Sequence, residues 1–247
     1  MRISTVSVLL LALLMAGCAQ PRNDTSAENV HYILGVSYLQ EGDSARALRE
    51  FHQAHQVQPR NPNVLIGLGR SYHLRGAHEQ AEHYYRLALR ERPDDSMIEN
   101  NLGDLYLSQG RLEEAIYYFE KAASNLMFTD SAVSLTGLGY AHFLNGDYPE
   151  ALRAYRRALA QNPRSDQTYM RLGETYYAMD NPERAVGALR QALRINASNI
   201  QAHYKLGMTQ MKLGNDDAAL QSFSTLIKLA PLSELAEQAE EHMEMLR

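Results

Sequence analysis

Residues Leu68–Pro93 read LGRSYHLRGAHEQAEHYYRLALRERP, and this stretch decides the fold. Leu68, Gly69 and Tyr72 stand at i, i+1 and i+4, then Gly76 intervenes, and Ala81, Tyr85 and Ala88 follow at i, i+4 and i+7. Both sets have helical periodicity, so the stretch predicts two amphipathic helices joined at a glycine. Glycine on the first helix admits the close approach of the second, and Gly76 supplies the left-handed backbone that reverses the chain. Pro93 stops the second helix and fits the first turn of the next.

The same hairpin recurs along the chain. Leucine precedes Gly35, Gly69, Gly103, Gly139, Gly173 and Gly207, which are spaced by 34, 34, 36, 34 and 34 residues. Ala47, Ala81, Ala115, Ala151, Ala185 and Ala219 each follow twelve residues later, and Phe51, Tyr85, Phe119, Tyr155, Leu189 and Phe223 four beyond those. Gly42, Gly76, Gly110, Gly146 and Gly214 mark five of the reversals, with Asp180-Asn181-Pro182 serving the fifth copy. This pattern resembles the tetratricopeptide repeat. His142 and Gln210 depart from it at the tyrosine position that Tyr38, Tyr72, Tyr106 and Tyr176 keep. The resemblance implies an all-α, right-handed superhelical solenoid of six helix-turn-helix units, with units at 28–61, 62–95, 96–131, 132–165, 166–199 and 200–232. Residues 233–247 read as a final capping helix in which Leu235, Ala239, Met243 and Leu246 cover the last unit. The 36-residue step places Leu126-Met127-Phe128 where other turns are polar. Longer helices burying this trio between the third and fourth units is one reading, and an exposed binding knob is the other.

Before the repeats lies a different segment. Met1-Arg2, the apolar run from Ile3 to Met15 and Ala16-Gly17-Cys18 have the layout of a secretory signal, and the run is shorter than the roughly 20 residues of a spanning helix. Leu14-Met15-Ala16-Gly17-Cys18 resembles the bacterial lipobox, which implies cleavage after residue 17 and a covalent lipid on Cys18. Residues 18–27 then form the lipidated cysteine and a polar tether, and Ala19 after the cysteine favours the outer membrane by resemblance. The tether reaches at most about 30 Å, so the folded body stays beside the membrane. Cys18 is the one cysteine of 247 residues, which excludes an internal disulfide and a cysteine-based zinc site.

Charge and motifs narrow the function. A net charge of −5, without a block of like charges, leaves no electrostatic footprint for nucleic acid. Gly67-Leu68-Gly69 and Gly137-Leu138-Gly139 are packing glycines rather than phosphate loops, because no strand precedes them. His78-Glu79-Gln80-Ala81-Glu82 lacks the second histidine of a zinc protease, and His52 and His55 read as solvated. No Gly-x-Ser-x-Gly elbow occurs and the one cysteine is committed to lipid, so a nucleophile has no candidate, and the expectation is a protein that is no enzyme, binds no small-molecule substrate, and carries no cofactor or metal beyond the lipid on Cys18.

What remains is a groove lined by the first helices. Positions three before, one after and four after each glycine give Tyr32, Val36, Leu39, Ile66, Arg70, His73, Asn100, Asp104, Leu107, Thr136, Tyr140, Phe143, Met170, Glu174, Tyr177, Tyr204, Met208 and Met211. This set reads as a largely apolar and aromatic surface for protein partners. Chaperone-binding repeats grip a terminal carboxylate with lysine and asparagine at these places, whereas this groove opens on Tyr32 and Val36. Lipobox, short tether and six repeats together resemble the PilF/PilW/Tgl lipoproteins of type IV pilus assembly. That resemblance implies a pilotin on the periplasmic face of the outer membrane, helping the pilus secretin to localise and multimerise, with Tyr32, Val36, Leu39, Ile66 and His73 as the expected contact. A lipoprotein of the same build serving peptidoglycan hydrolases or exopolysaccharide export is the alternative reading, and an enzyme with an unrecognised site is a third.

Overall fold

The computed structural model describes residues 25–125 and 127–246, with side-chain surroundings described from residue 30 onward. Cys18, the signal-like segment and Leu126 lie outside the described residues. Thirteen helices follow one another: α1 Thr25–Gln40, α2 Ser44–Val57, α3 Pro62–Leu74, α4 His78–Glu91, α5 Ser96–Ser108, α6 Leu112–Ser124, α7 Ser131–Leu144, α8 Tyr148–Gln161, α9 Asp166–Ala178, α10 Pro182–Ile195, α11 Ile200–Lys212, α12 Asp216–Leu229 and α13 Glu234–Met245. No helix among the described residues is long and apolar enough to cross a membrane.

Each odd-numbered helix pairs with the next through one small-on-large contact. A Cβ built on Gly69 would stand 2.6 Å from the Tyr85 ring, and one on Gly103 2.7 Å from Phe119. The glycine is therefore a seat for the ring four residues past the alanine. Ala47, Ala81, Ala115, Ala151, Ala185 and Ala219 are fully buried, and so are Phe51, Phe119, Tyr155 and Phe223. Burying each ring stabilises the fold by about 2–3 kcal/mol. Gly67 and Gly137 receive rings from the preceding unit, Phe51 and Phe119, which joins neighbouring hairpins. These glycines are packing glycines, as their sequence context indicates.

The reversals are three residues long, and their middle residue takes positive φ. Gly76 has φ +71°, and Asp180 occupies the same place in the fifth unit at +56°. Asn61, Asp95, Ser165, Asn199 and Ser233 cap the helices that open the following units, each accepting a backbone N–H. Pro59, Pro93, Pro163 and Pro231 sit inside the connectors between units rather than in the first helical turn. The residues that enlarge the 36-residue step also sit in a connector, 125–130, while α6 and α7 keep ordinary lengths. Longer helices are thus not the device that absorbs them. Met127 is 88% exposed and Phe128 half-buried, so these two residues of the trio form no buried plug.

Successive odd-numbered helices touch one another, whereas successive even-numbered helices do not. The odd helices are consequently crowded on an inner wall and the even helices splayed on an outer one, the geometry of a curved solenoid. The final helix, α13, closes the C-terminal end. Ala236 and Ala239 are buried against Phe223 and Leu226, with Leu235, Met243 and Leu246 partly buried beside them. His52 and His55 are not solvated: both are half-buried on the outer side, where His52 lies 2.9 Å from the Tyr72 hydroxyl and His55 meets the edge of Tyr84. Burial, then the neighbouring His52, lowers the pKa of His55.

Candidate protein-binding groove

Three clefts lie along the inner wall. The first, about 240 Å³, is formed by Tyr32, Val36 and Leu39 of α1, Ile66, Gly67 and Arg70 of α3, and Met97 of α5, with Phe51 at its floor. The second, about 260 Å³, collects Asp104 and Leu107 of α5, Val133, Thr136 and Tyr140 of α7, and Gln167, Thr168 and Arg171 of α9. The third, about 120 Å³, is made by Glu174 and Tyr177 of α9 with Tyr204, Lys205 and Met208 of α11. Each cleft is lined by side chains from neighbouring units, so no single hairpin carries one.

Most of the residues read from the sequence therefore face these clefts or border them. His73 closes the α3 end of the wall, 3.1 Å from the Ser108 hydroxyl, with its ring 6.0 Å from that of His78. Burial, then the His78 charge, lowers its pKa. Asn100 donates to Asp104 at 3.3 Å and accepts from the Ser134 hydroxyl at 2.7 Å. Phe143 stacks on Tyr140 at 6.0 Å. Met211 packs on the Phe223 cluster beneath α13. Ile66 and Met170 are corrections in kind: with 6% and 4% of their surface exposed, they fill the joints between helices and offer little contact area. The helical count places them on the inner face, yet that face is the one along which successive odd helices meet.

The wall is also more charged than the count from each glycine indicates. The Arg171 guanidinium lies 3.6 Å over the Tyr140 ring and 2.9 Å from Glu174, which Lys205 meets at 2.9 Å from the other side. Burial pushes the Glu174 carboxyl up, but the Lys205 and Arg171 bonds and charges outweigh it and hold it below the usual carboxylate range. Lys212 covers Tyr177 at 4.7 Å and pairs with Asp180 at 2.7 Å. Asp104 differs: water reaches its carboxyl, but the concave wall crowds it, and this burial raises its pKa to about 6 against the Asn100 hydrogen bond. Arg171 and Lys205 stand two residues before their glycines, while Asn63, Met97, Val133 and Gln167 stand six before theirs and also line clefts. Extending the same periodicity one turn back along each helix finds the latter four.

Models of the tetratricopeptide repeat match residues 130–198, residues 38–102, and residues 79–128 with 170–234. A comparison with curated proteins found no significant match. Among solved structures, that of PilW, described as a widely conserved type IV pilus biogenesis factor, is similar with a TM-score of 0.79 at 21% identity, covering 87% of this chain and 98% of that one. The structure of Pseudomonas aeruginosa PilF is similar with a TM-score of 0.75 at 18% identity, covering 90% and 100%. The Cut9–Hcn1 complex of the APC/C gives a TM-score of 0.76 at 19% identity, over 87% of this chain but 42% of that chain. At such identities the shared property is the fold, which serves as a protein-interaction scaffold in different settings. With the repeat models together spanning residues 38 to 234, and a glycine seated against a ring in five units and against Leu189 in the fifth, the chain belongs to the tetratricopeptide-repeat proteins.

Proposed function

We propose that the chain is a lipid-anchored adaptor of the bacterial outer membrane, without catalytic activity, whose inner wall holds a segment of a protein partner. Within that class the reading is a pilotin: it assists the secretin of the type IV pilus to reach the outer membrane and to multimerise. The observation that carries it is the extent of the match to PilW and PilF, which takes in 98% and 100% of those chains and 87% and 90% of this one. The likeness to one unit of a larger assembly covers only 42% of that chain. The lipobox-like Leu14–Cys18 segment and the polar residues after it support the location, because a short tether confines the wall to the membrane zone where a secretin ring inserts. Confinement raises the effective concentration, so a modest intrinsic affinity suffices.

Deleting the gene in its host and immunoblotting outer-membrane fractions for the heat-stable secretin multimer tests the role. Loss of the multimer, restored by the wild-type gene, is the expected result. A normal multimer with normal pili rejects the pilotin reading in favour of an adaptor for peptidoglycan hydrolases or exopolysaccharide export.

A further inference from the structure

The two ends of the solenoid are finished differently. At the C-terminal end α13 covers the last hairpin and turns Glu237, Glu240 and Glu244 to solvent. At the N-terminal end α1 is the first helix among the described residues, and Val30, Ile33 and Leu34 are 51%, 60% and 38% exposed. These three stand at i, i+3 and i+4, on one face. In every later unit the residues equivalent to Val30 (Val64, Ile98, Ser134, Thr168 and Ala202) are buried under the preceding hairpin. The leucines equivalent to Leu34 are buried likewise. The face is thus a stacking face for which the described residues supply no neighbour. A solenoid end ordinarily needs a polar outer face, and Ile33 runs against that need. Its equivalents are Gly67, Asn101, Gly137, Arg171 and Lys205, small or polar in every case, so the isoleucine is not inherited from the repeat pattern.

We infer that this face of α1 rests on a lipid surface. The inference rests on the lipid-anchor reading of Cys18 and names what the anchor brings within reach. Cys18 stands seven residues before α1 begins at Thr25, and those residues at full extension with the first helical turn bring Val30 within about 30 Å of it. The residues between Cys18 and α1, Ala19 to Asp24, are mostly polar in sequence and supply no large apolar side chain to cover the face. Three side chains on one helix are far short of the roughly 800 Å² per partner of a stable protein interface, which argues against a second copy. Partial insertion beneath lipid head groups has no such size requirement when an acyl anchor already holds the chain there. The contact sets the orientation of the solenoid: its N-terminal end meets the membrane, and the inner wall runs away from it with its first cleft lowest.

The test uses the chain from residue 18 onward, with Cys18→Ser and an N-terminal hexahistidine, bound to vesicles of phosphatidylethanolamine and phosphatidylglycerol containing nickel-chelating lipid. A polarity-sensitive dye is attached at Ile33→Cys or, as control, at Leu232→Cys, whose parent is 98% exposed at the far end. The expected result is a blue shift and quenching by bromo-lipid at position 33, several-fold stronger than at position 232, and abolished by adding Val30→Glu. An aqueous spectrum at position 33 on vesicles overturns the inference. So does a blue shift that grows with protein concentration without vesicles, which assigns the face to a second copy. Mass spectrometry of the host-purified N-terminus is read separately: an unmodified Cys18 removes the anchor reading and this orientation with it, whereas a lipidated Cys18 with an aqueous position 33 leaves the anchor standing and rejects the docking face alone.

Discussion

Gly69 lies directly beneath the ring of Tyr85, so that a Cβ there would stand 2.6 Å from two ring carbons. Tyr85 is 1% exposed and cannot swing away without opening the core. Gly69→Ala is expected to destabilise by about 1–3 kcal/mol through overpacking. Gly187, in the middle of α10, has nothing within 4 Å of the equivalent Cβ position. Gly187→Ala should therefore stabilise by about 0.5–1 kcal/mol, because only the helical entropy term changes. Urea denaturation of both variants checks the pair, and equal effects would sink the packing account.

Glu99 is a carboxylate 1% exposed, and the Lys121 ammonium lies 2.8 Å from it while also meeting Asp94 at 2.9 Å. Those two carboxylates raise the Lys121 pKa. The sign follows: the pair's contribution is complete below the ordinary lysine pKa and is lost only as pH rises through the elevated folded value, so stability is insensitive to Lys121 near neutrality. Lys121→Ala strands a buried charge and should cost about 3 kcal/mol. Lys121→Ala with Glu99→Gln should recover much of that loss, and a double-mutant cycle at pH 7 measures the coupling.

Asp104 gives the molecule an acid-side pH dependence. Its folded pKa is raised to about 6 from an ordinary 3.8, so between these values the folded chain holds a proton that the unfolded chain has released. Stability then falls as pH rises through that window and stays lowered above it. Because water reaches the carboxyl, the effect should stay below about 1 kcal/mol. Asp104→Asn should flatten the profile from pH 4 to 6 and raise Tm slightly at pH 7. A steeper profile in the variant would assign the dependence elsewhere.

Met127 projects into solvent from the long connector between α6 and α7. Met127→Lys should leave stability within about 0.5 kcal/mol of the parent. Pull-down of the secretin with this variant then separates a contact role from an inert one: an undiminished yield rejects the binding-knob reading of the connector.

The hairpins were legible because glycine, alanine and ring recur at spacings that only a pair of packed helices uses, and Asp180 was readable as a turn because Asn181-Pro182 follows it. The inner wall was legible less completely. Helical spacing shows which way Ile66 and Met170 point but not that the next helix arrives on top of them. Arg171 and Lys205 stand at a position where two other units carry glycine, so their place over Tyr140 and beside Glu174 emerges only when adjacent units are stacked. The bare end of α1 is invisible to periodicity for a related reason. Leu34 is a leucine like its buried equivalents and Val30 is as apolar as the buried Val64 and Ile98, so among the described residues only the lack of a preceding hairpin distinguishes them.

Every packed pair of helices in the described chain joins elements one or two places apart in order. A chain made N-terminus first therefore never waits for a distant segment. The first hairpin finds its complement as soon as the second is free, and each later one settles on a finished surface, growing as a crystal face grows by added layers. Of the described helices α13 arrives last, and it covers the layer that the sixth hairpin leaves exposed.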